Sequence, residues 1–94
     1  MFSNPTVMST QIAVFPNPFI STLSIEVTIS SNQATIVQMT DEHQKIIKLL
    51  RWSLKKGTNK ITIDELDILP AGDYHIQIKT MDGDCLFNTK LIKL

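Results

Sequence analysis

With one cysteine, Cys85, the chain has no internal disulfide and no zinc site built from paired thiolates. Alone in a strand, that thiol reads as an inert, partly buried small hydrophobe. Neither sign of charge is in excess, since Lys and Arg number nine and Asp and Glu number nine. No field therefore steers the chain toward nucleic acid or an anionic lipid surface, and no nucleic-acid partner is expected. No apolar run approaches the roughly 20 residues that cross a bilayer, so direct membrane insertion is not expected either. Met1 to Gln11 lacks the basic start and apolar middle of an export leader. Glycine is scarce: Gly57, Gly72 and Gly83 all fall in turns, and none forms a loop that could cradle a phosphate.

What the 94 residues do contain is a period of two. Leu23, Ile25, Val27 and Ile29 alternate with Thr22, Ser24, Glu26 and Thr28, which puts aliphatic side chains on one face of a strand and polar ones on the other. Thr35, Val37 and Met39, then Ile61 and Ile63, then Tyr74, Ile76 and Ile78 repeat the pattern. Turn signals separate these runs at Pro16–Pro18, Ser30–Gln33, Asp41–Gln44, Lys55–Asn59, Pro70–Asp73 and Asp82–Gly83. The breaks predict strands near 12–15, 21–30, 34–40, 45–52, 59–63, 73–80 and 85–93. A chain this short forms one domain with a modest core, and this many short strands point to a two-sheet sandwich.

The last hairpin can be set in register, because Asp82-Gly83 is a pair favoured by a tight type I′ turn. Met81 then opposes Asp84, Thr80 opposes Cys85, Ile78 opposes Phe87, Ile76 opposes Thr89 and Tyr74 opposes Leu91, so the apolar residues of both strands share a face. The same register tests a Cys85–His75 dyad and rejects it: His75 faces Lys90 on the opposite face, roughly 17 Å along the strand from the row of Cys85. His43 sits in a polar turn and reads as solvated, not as a base. No catalytic residue, cofactor or metal site is expected. Asp64, Glu65 and Asp67 do not have EF-hand spacing, and read as a solvated crossing between sheets with Leu66 and Leu69 tucked inward. Trp52 reads as the aromatic end of an apolar strand before it reads as an interface anchor.

Pro16 and Pro18 each remove a backbone donor, so Phe15-Pro16-Asn17-Pro18-Phe19 cannot join a central ladder and the chain must turn there. Asn17 can cap that turn with its side chain, and Phe19 can plug it against the core.

Four segments together resemble a known family. They are Val14-Phe15-Pro16-Asn17-Pro18-Phe19 followed by Leu23-Ser24-Ile25, then Asp41 ahead of Lys45-Ile46-Ile47-Lys48, then Leu69-Pro70-Ala71-Gly72-Asp73-Tyr74-His75-Ile76, and last Lys90-Leu91-Ile92-Lys93. In that order and spacing they resemble the type A C-terminal sorting domain of the type IX (Por) secretion system, with the likeness running from about Ile12 to Leu94. The family usually has an aromatic residue before the Asp41 position and a glycine at the position of Gln44; this chain has Thr40 and Gln44. Pro16, Asn17, Pro18, Phe19, Asp41, Gly72, Tyr74, Asp82 and Gly83 form the motif positions and are expected to be structural.

The resemblance implies an all-β, seven-stranded immunoglobulin-like β-sandwich over residues 12–94, with residues 1–11 a linker or an added segment. It implies a fused cargo protein upstream, recognition by the outer-membrane type IX translocon of Bacteroidota-type bacteria, and removal by a sortase-like peptidase. The cargo would pass through the periplasm to the cell surface or the medium. On physical grounds the last strand could lie at a sheet edge with Lys90 and Lys93 projecting, and its unpaired backbone could accept a strand from a receptor. Lys90, Leu91, Ile92, Lys93 and Leu94 are thus the expected recognition element. The competing reading is a small adhesion or carbohydrate-binding sandwich of a secreted protein, which would need an exposed aromatic platform or a calcium site.

Overall fold

The computed structural model describes residues 10–94, so most of the expected 1–11 linker lies outside the described residues. The described chain is all-β and antiparallel, in two sheets. In chain order the strands are β1 (Gln11–Phe15), β2 (Leu23–Ile29), β3 (Gln33–Thr40), β4 (Ile46–Leu54), β5 (Gly57–Ile63), β6 (Gly72–Thr80) and β7 (Cys85–Lys93), with one short 3-10 turn at Leu66–Ile68. Each expected strand is present, and the bounds differ by a residue or two.

One sheet has the order β1-β2-β5 and the other β4-β3-β6-β7. Hairpins join neighbours within a sheet, while the β2–β3, β4–β5 and β5–β6 connections cross between sheets. Alternation drives this layering. Along β2, Leu23, Ile25, Val27 and Ile29 are buried and the residues between them are half-exposed. They meet Val37 and Met39 of β3 and Tyr74, Ile76 and Ile78 of β6 in one core. Burying an aliphatic side chain of this kind contributes about 1.5–3 kcal/mol, enough for each row to hold its strand against a one-residue slip. The acidic crossing Asp64–Asp67 leaves Leu66 fully buried, as expected, with its N–H bonded to the Ser21 carbonyl at 2.9 Å. Among the described residues, every buried side-chain polar atom has a partner. Thr35 illustrates how: its hydroxyl donates to the Trp52 carbonyl at 2.7 Å, and Trp52 itself packs half-buried against the core.

The final hairpin departs from its expected turn. Only Gly83, at φ +94°, takes a left-handed conformation, and its N–H bonds to the Thr80 carbonyl at 3.0 Å. The loop is therefore Met81-Asp82-Gly83, closed by the Thr80 N–H to the Asp84 carbonyl at 2.8 Å, and not a two-residue type I′ turn. The longer loop places Cys85 opposite Lys79, and a bulge at Leu86 restores the expected pairs Ile78–Phe87, Ile76–Thr89 and Tyr74–Leu91. Leu86 and Phe87 both pack on the core as a result, and Cys85 is exposed, not partly buried. Cys85 thus shares the outer face with His75. The two remain apart, with four residues of strand, or roughly 13 Å, between their rows.

Candidate functional site

The two ends of the motif set meet at one corner of the sandwich. β7 is an edge strand, as expected, but its terminal stretch is not bare. The Phe19 N–H donates to the Ile92 carbonyl at 2.9 Å and the Leu94 N–H donates to the Phe19 carbonyl at 3.0 Å, forming a short parallel bridge between Phe19 and Lys93. Asn17 completes it: its Oδ1 accepts from the Ile92 N–H at 2.9 Å and its Nδ2 reaches the Lys90 carbonyl at 3.5 Å. The amide of Asn17 thus continues the ladder that the flanking prolines cannot. The outward-facing groups from the Lys90 carbonyl to the Leu94 N–H are taken, which corrects the expectation of an unpaired edge over those residues.

Phe19 is fully buried beneath this clasp. Its ring meets Tyr74 edge-to-face at 5.9 Å between centroids and 67° between planes, a preferred aromatic geometry. The Tyr74 hydroxyl donates to the Pro70 carbonyl at 2.6 Å, tying β6 to the loop before it. Burial, reinforced by the nearby carboxylates of Asp41 and Glu42, pushes the phenol above its ordinary pKa of 10.0, so Tyr74 stays a donor. Gly72 opens β6 at φ +150°, and a Cβ there would lie 3.4 Å from the Glu42 Oε1. Asp41 stands at the same end of the sheet, beyond the Thr40–His75 pair. Its Oδ1 accepts from the N–H groups of Lys45 at 2.9 Å and His43 at 2.8 Å. The Lys45 N–H is the main cause that holds the carboxyl below its ordinary value; partial burial opposes it, and the His43 N–H and the charges of His43 and Lys45 add to it.

The terminal lysines behave differently from one another. Lys90 lies on the outer face, 3.5 Å from Asp73. Lys93 does not project: it shares the inner face with Leu91, is only 6% exposed, and turns its Nζ to the Leu94 carbonyl at 2.8 Å. Period two contains that signal, because Leu91 facing inward puts Lys93 inward too. Ile92 and Leu94 alternate outward and are exposed. Of the motif positions, Pro16 to Phe19, Asp41, Gly72 and Tyr74 gather at this corner, whereas Asp82 and Gly83 stand at the far tip of the last hairpin. Ile20 and Asp73 also belong to the corner; Asp73 lies in one of the four family-like segments, whereas Ile20 was not singled out in the sequence. No group of three or more metal-ligating side chains occurs among the described residues.

Fold and corner together define a small two-sheet β module whose distinctive residues fasten its first turn to its last strand. The chain matches the secretion system C-terminal sorting domain over residues 13–93, and it belongs to that family of the type IX (Por) secretion system. No curated protein matches the chain. Membership makes this domain a sorting signal on an exported protein, read by the secretion machinery and attached to a cargo; the family is not a catalytic one.

Proposed function

We propose that this domain carries an upstream cargo through the outer-membrane type IX translocon, that a sortase-like peptidase then removes the domain within or before residues 1–11, and that the cargo is anchored at the surface or released. The part read is the terminal segment Lys90, Leu91, Ile92, Lys93 and Leu94. The family match over residues 13–93 carries this reading, and the clasp supports it by presenting that segment in one defined shape. Residues 12–94 are taken as the sorting domain, and its sandwich as immunoglobulin-like. The strand orders β1-β2-β5 and β4-β3-β6-β7 support that type. So does the Tyr74 hydroxyl at the start of β6 bonded back to Pro70, the arrangement of a tyrosine corner.

The adhesion alternative gains little support, because the aromatic rings among the described residues form no exposed platform: Phe19 and Tyr74 are buried, Trp52 and Phe87 are half-buried, and Phe15 is exposed on a strand by itself. The test is a periplasm-targeted reporter fused ahead of this domain in a bacterium with type IX secretion. The full fusion is expected at the cell surface or in the medium, and a fusion lacking Lys90 to Leu94 in the periplasm. Surface export undiminished by that deletion would remove the terminal segment from the mechanism.

A further inference from the structure

The clasp leaves no open backbone from the Lys90 carbonyl to the Leu94 N–H, so a partner that reads this stretch meets side chains. Three aliphatic ones stand out. Ile20 is 61% exposed, Ile92 44% and Leu94 63%, although each is adjacent in sequence to a buried residue. Their placement follows from the bridge: Phe19 and Lys93 both point inward, so their neighbours along each segment point to the outer face. The Phe19 carbonyl, which accepts from the Leu94 N–H at 3.0 Å, belongs to the peptide that begins Ile20, so Ile20 and Leu94 lie beside one another across the bridge. Asp73 pairs with Ile92 across the ladder and is joined to Lys90 at 3.5 Å, giving the apolar group a charged rim.

From this we infer that the sorting signal is a folded surface made of two segments, in which Ile20 joins Ile92 and Leu94 to form one apolar patch that docks in an apolar cleft of a protein of the secretion machinery. The inference rests on the sorting function proposed above and deepens it. A reader of the tail as a linear peptide, or by strand addition, would have to strip away the Asn17 and Phe19 hydrogen bonds before engaging it. Reading the outer face leaves those bonds intact. An apolar group with a polar rim is also the anatomy of a protein-binding surface. A protein occupant fits because a sorting domain must be recognised by its export machinery.

The test uses the reporter fusion with the single variants Ile20→Ser, Ile92→Ser and Leu94→Ser, and Met81→Ser as control. Met81 is 50% exposed but sits at the far tip of the last hairpin. Each purified domain is checked for an unchanged thermal midpoint, and a lysine at the same position replaces any serine variant that loses it. The expected result is a drop in export of about tenfold or more for all three corner variants, as for an anchor residue of an interface, and none for the control. If Ile20→Ser exports normally while Ile92→Ser and Leu94→Ser do not, the tail alone is read and the two-segment surface is overturned, with the sorting function intact. Normal export by all three also overturns it and leaves that function standing. Sedimentation showing a dimer that Ile92→Ser dissolves without loss of export assigns the patch to a second copy instead. A wild-type fusion that fails to leave the periplasm removes both readings.

Discussion

At Gln44 the backbone sits at φ +66°, in the left-handed region, where a side chain costs about 1–2 kcal/mol. The tight turn survives there because Asp41 holds it: the Gln44 N–H bonds to the Asp41 carbonyl at 3.0 Å and the Asp41 carboxylate gathers two more N–H groups. This accounts for the family's glycine at that position and for how this chain does without it. Gln44→Gly is expected to raise stability by about 0.5–1 kcal/mol, the relief of strain less the greater freedom of glycine in the unfolded chain, read as a higher urea midpoint. Asp41 also makes the turn sensitive to acid. Its folded pKa lies below its ordinary value of 3.8, so its contribution is complete above that value and is lost as pH falls through the depressed folded pKa. Asp41→Asn keeps the accepting oxygen and abolishes the titration. The wild type is expected to lose more stability than Asp41→Asn between pH 5 and pH 2, compared by urea midpoints, and equal losses would show that the carboxylate does not contribute. Lys93 carries the corresponding lesson about reading residues. Counting from Leu91 by twos places it inward, but a terminal lysine suggests a projecting charge, and only the Leu94 carbonyl beside it shows where its Nζ finds a partner.

Among the elements, those with one wet and one dry face were legible from their residues, because a slip of one position would expose Leu23, Ile25, Val27 and Ile29 together. The last hairpin was legible through its core pairs and misread at its tip. An Asp-Gly pair suits more than one loop length, and the bulge at Leu86 cancels the difference before Ile78, so the side-chain pattern near the core is the same for both. Of the clasp, only the oddity of Pro16-Asn17-Pro18 and the inward plug of Phe19 were legible; the Asn17 side chain was expected to cap its own turn and bonds to the last strand instead. The two residues are 75 positions apart in the chain, and no local pattern announces that the Asn17 Oδ1 will take the Ile92 N–H. Asn17→Ala should therefore act at the other end of the molecule. It leaves the Ile92 N–H without its acceptor and is expected to cost about 1–2 kcal/mol. Amide hydrogen exchange should quicken at Ile92 and Leu94, while exchange in β2 changes no more than the global loss requires. Asn17→Asp, which keeps the accepting oxygen but not the Nδ2 donor, should fall between. Unchanged exchange at Ile92 in Asn17→Ala would show that the side chain does not hold the edge.

At the scale of the whole molecule, the clasp makes the terminal segment part of the fold, not an appendage to it. Lys90 to Leu94 includes Leu91, which is 1% exposed, and supplies or accepts the four hydrogen bonds made by Asn17 and Phe19. Losing the burial of Leu91 costs about 1.5–3 kcal/mol, and each net hydrogen bond adds about 1 kcal/mol. The sum is about 5.5–7 kcal/mol, against a total of about 5–15 kcal/mol for a domain. Deletion of Lys90 to Leu94 is thus expected to unfold the domain or lower its urea midpoint by at least a third, measured by far-ultraviolet circular dichroism. A failure of the truncated fusion to be exported would then have two physical causes, the missing side chains and the lost shape. The exposed-face variants separate these causes, since Ile92→Ser and Leu94→Ser alter what a partner touches while leaving Leu91, Phe19 and Asn17 in place. Should the truncated domain instead unfold at the wild-type midpoint, the clasp would contribute no stability, and the tail could be read as a detachable peptide.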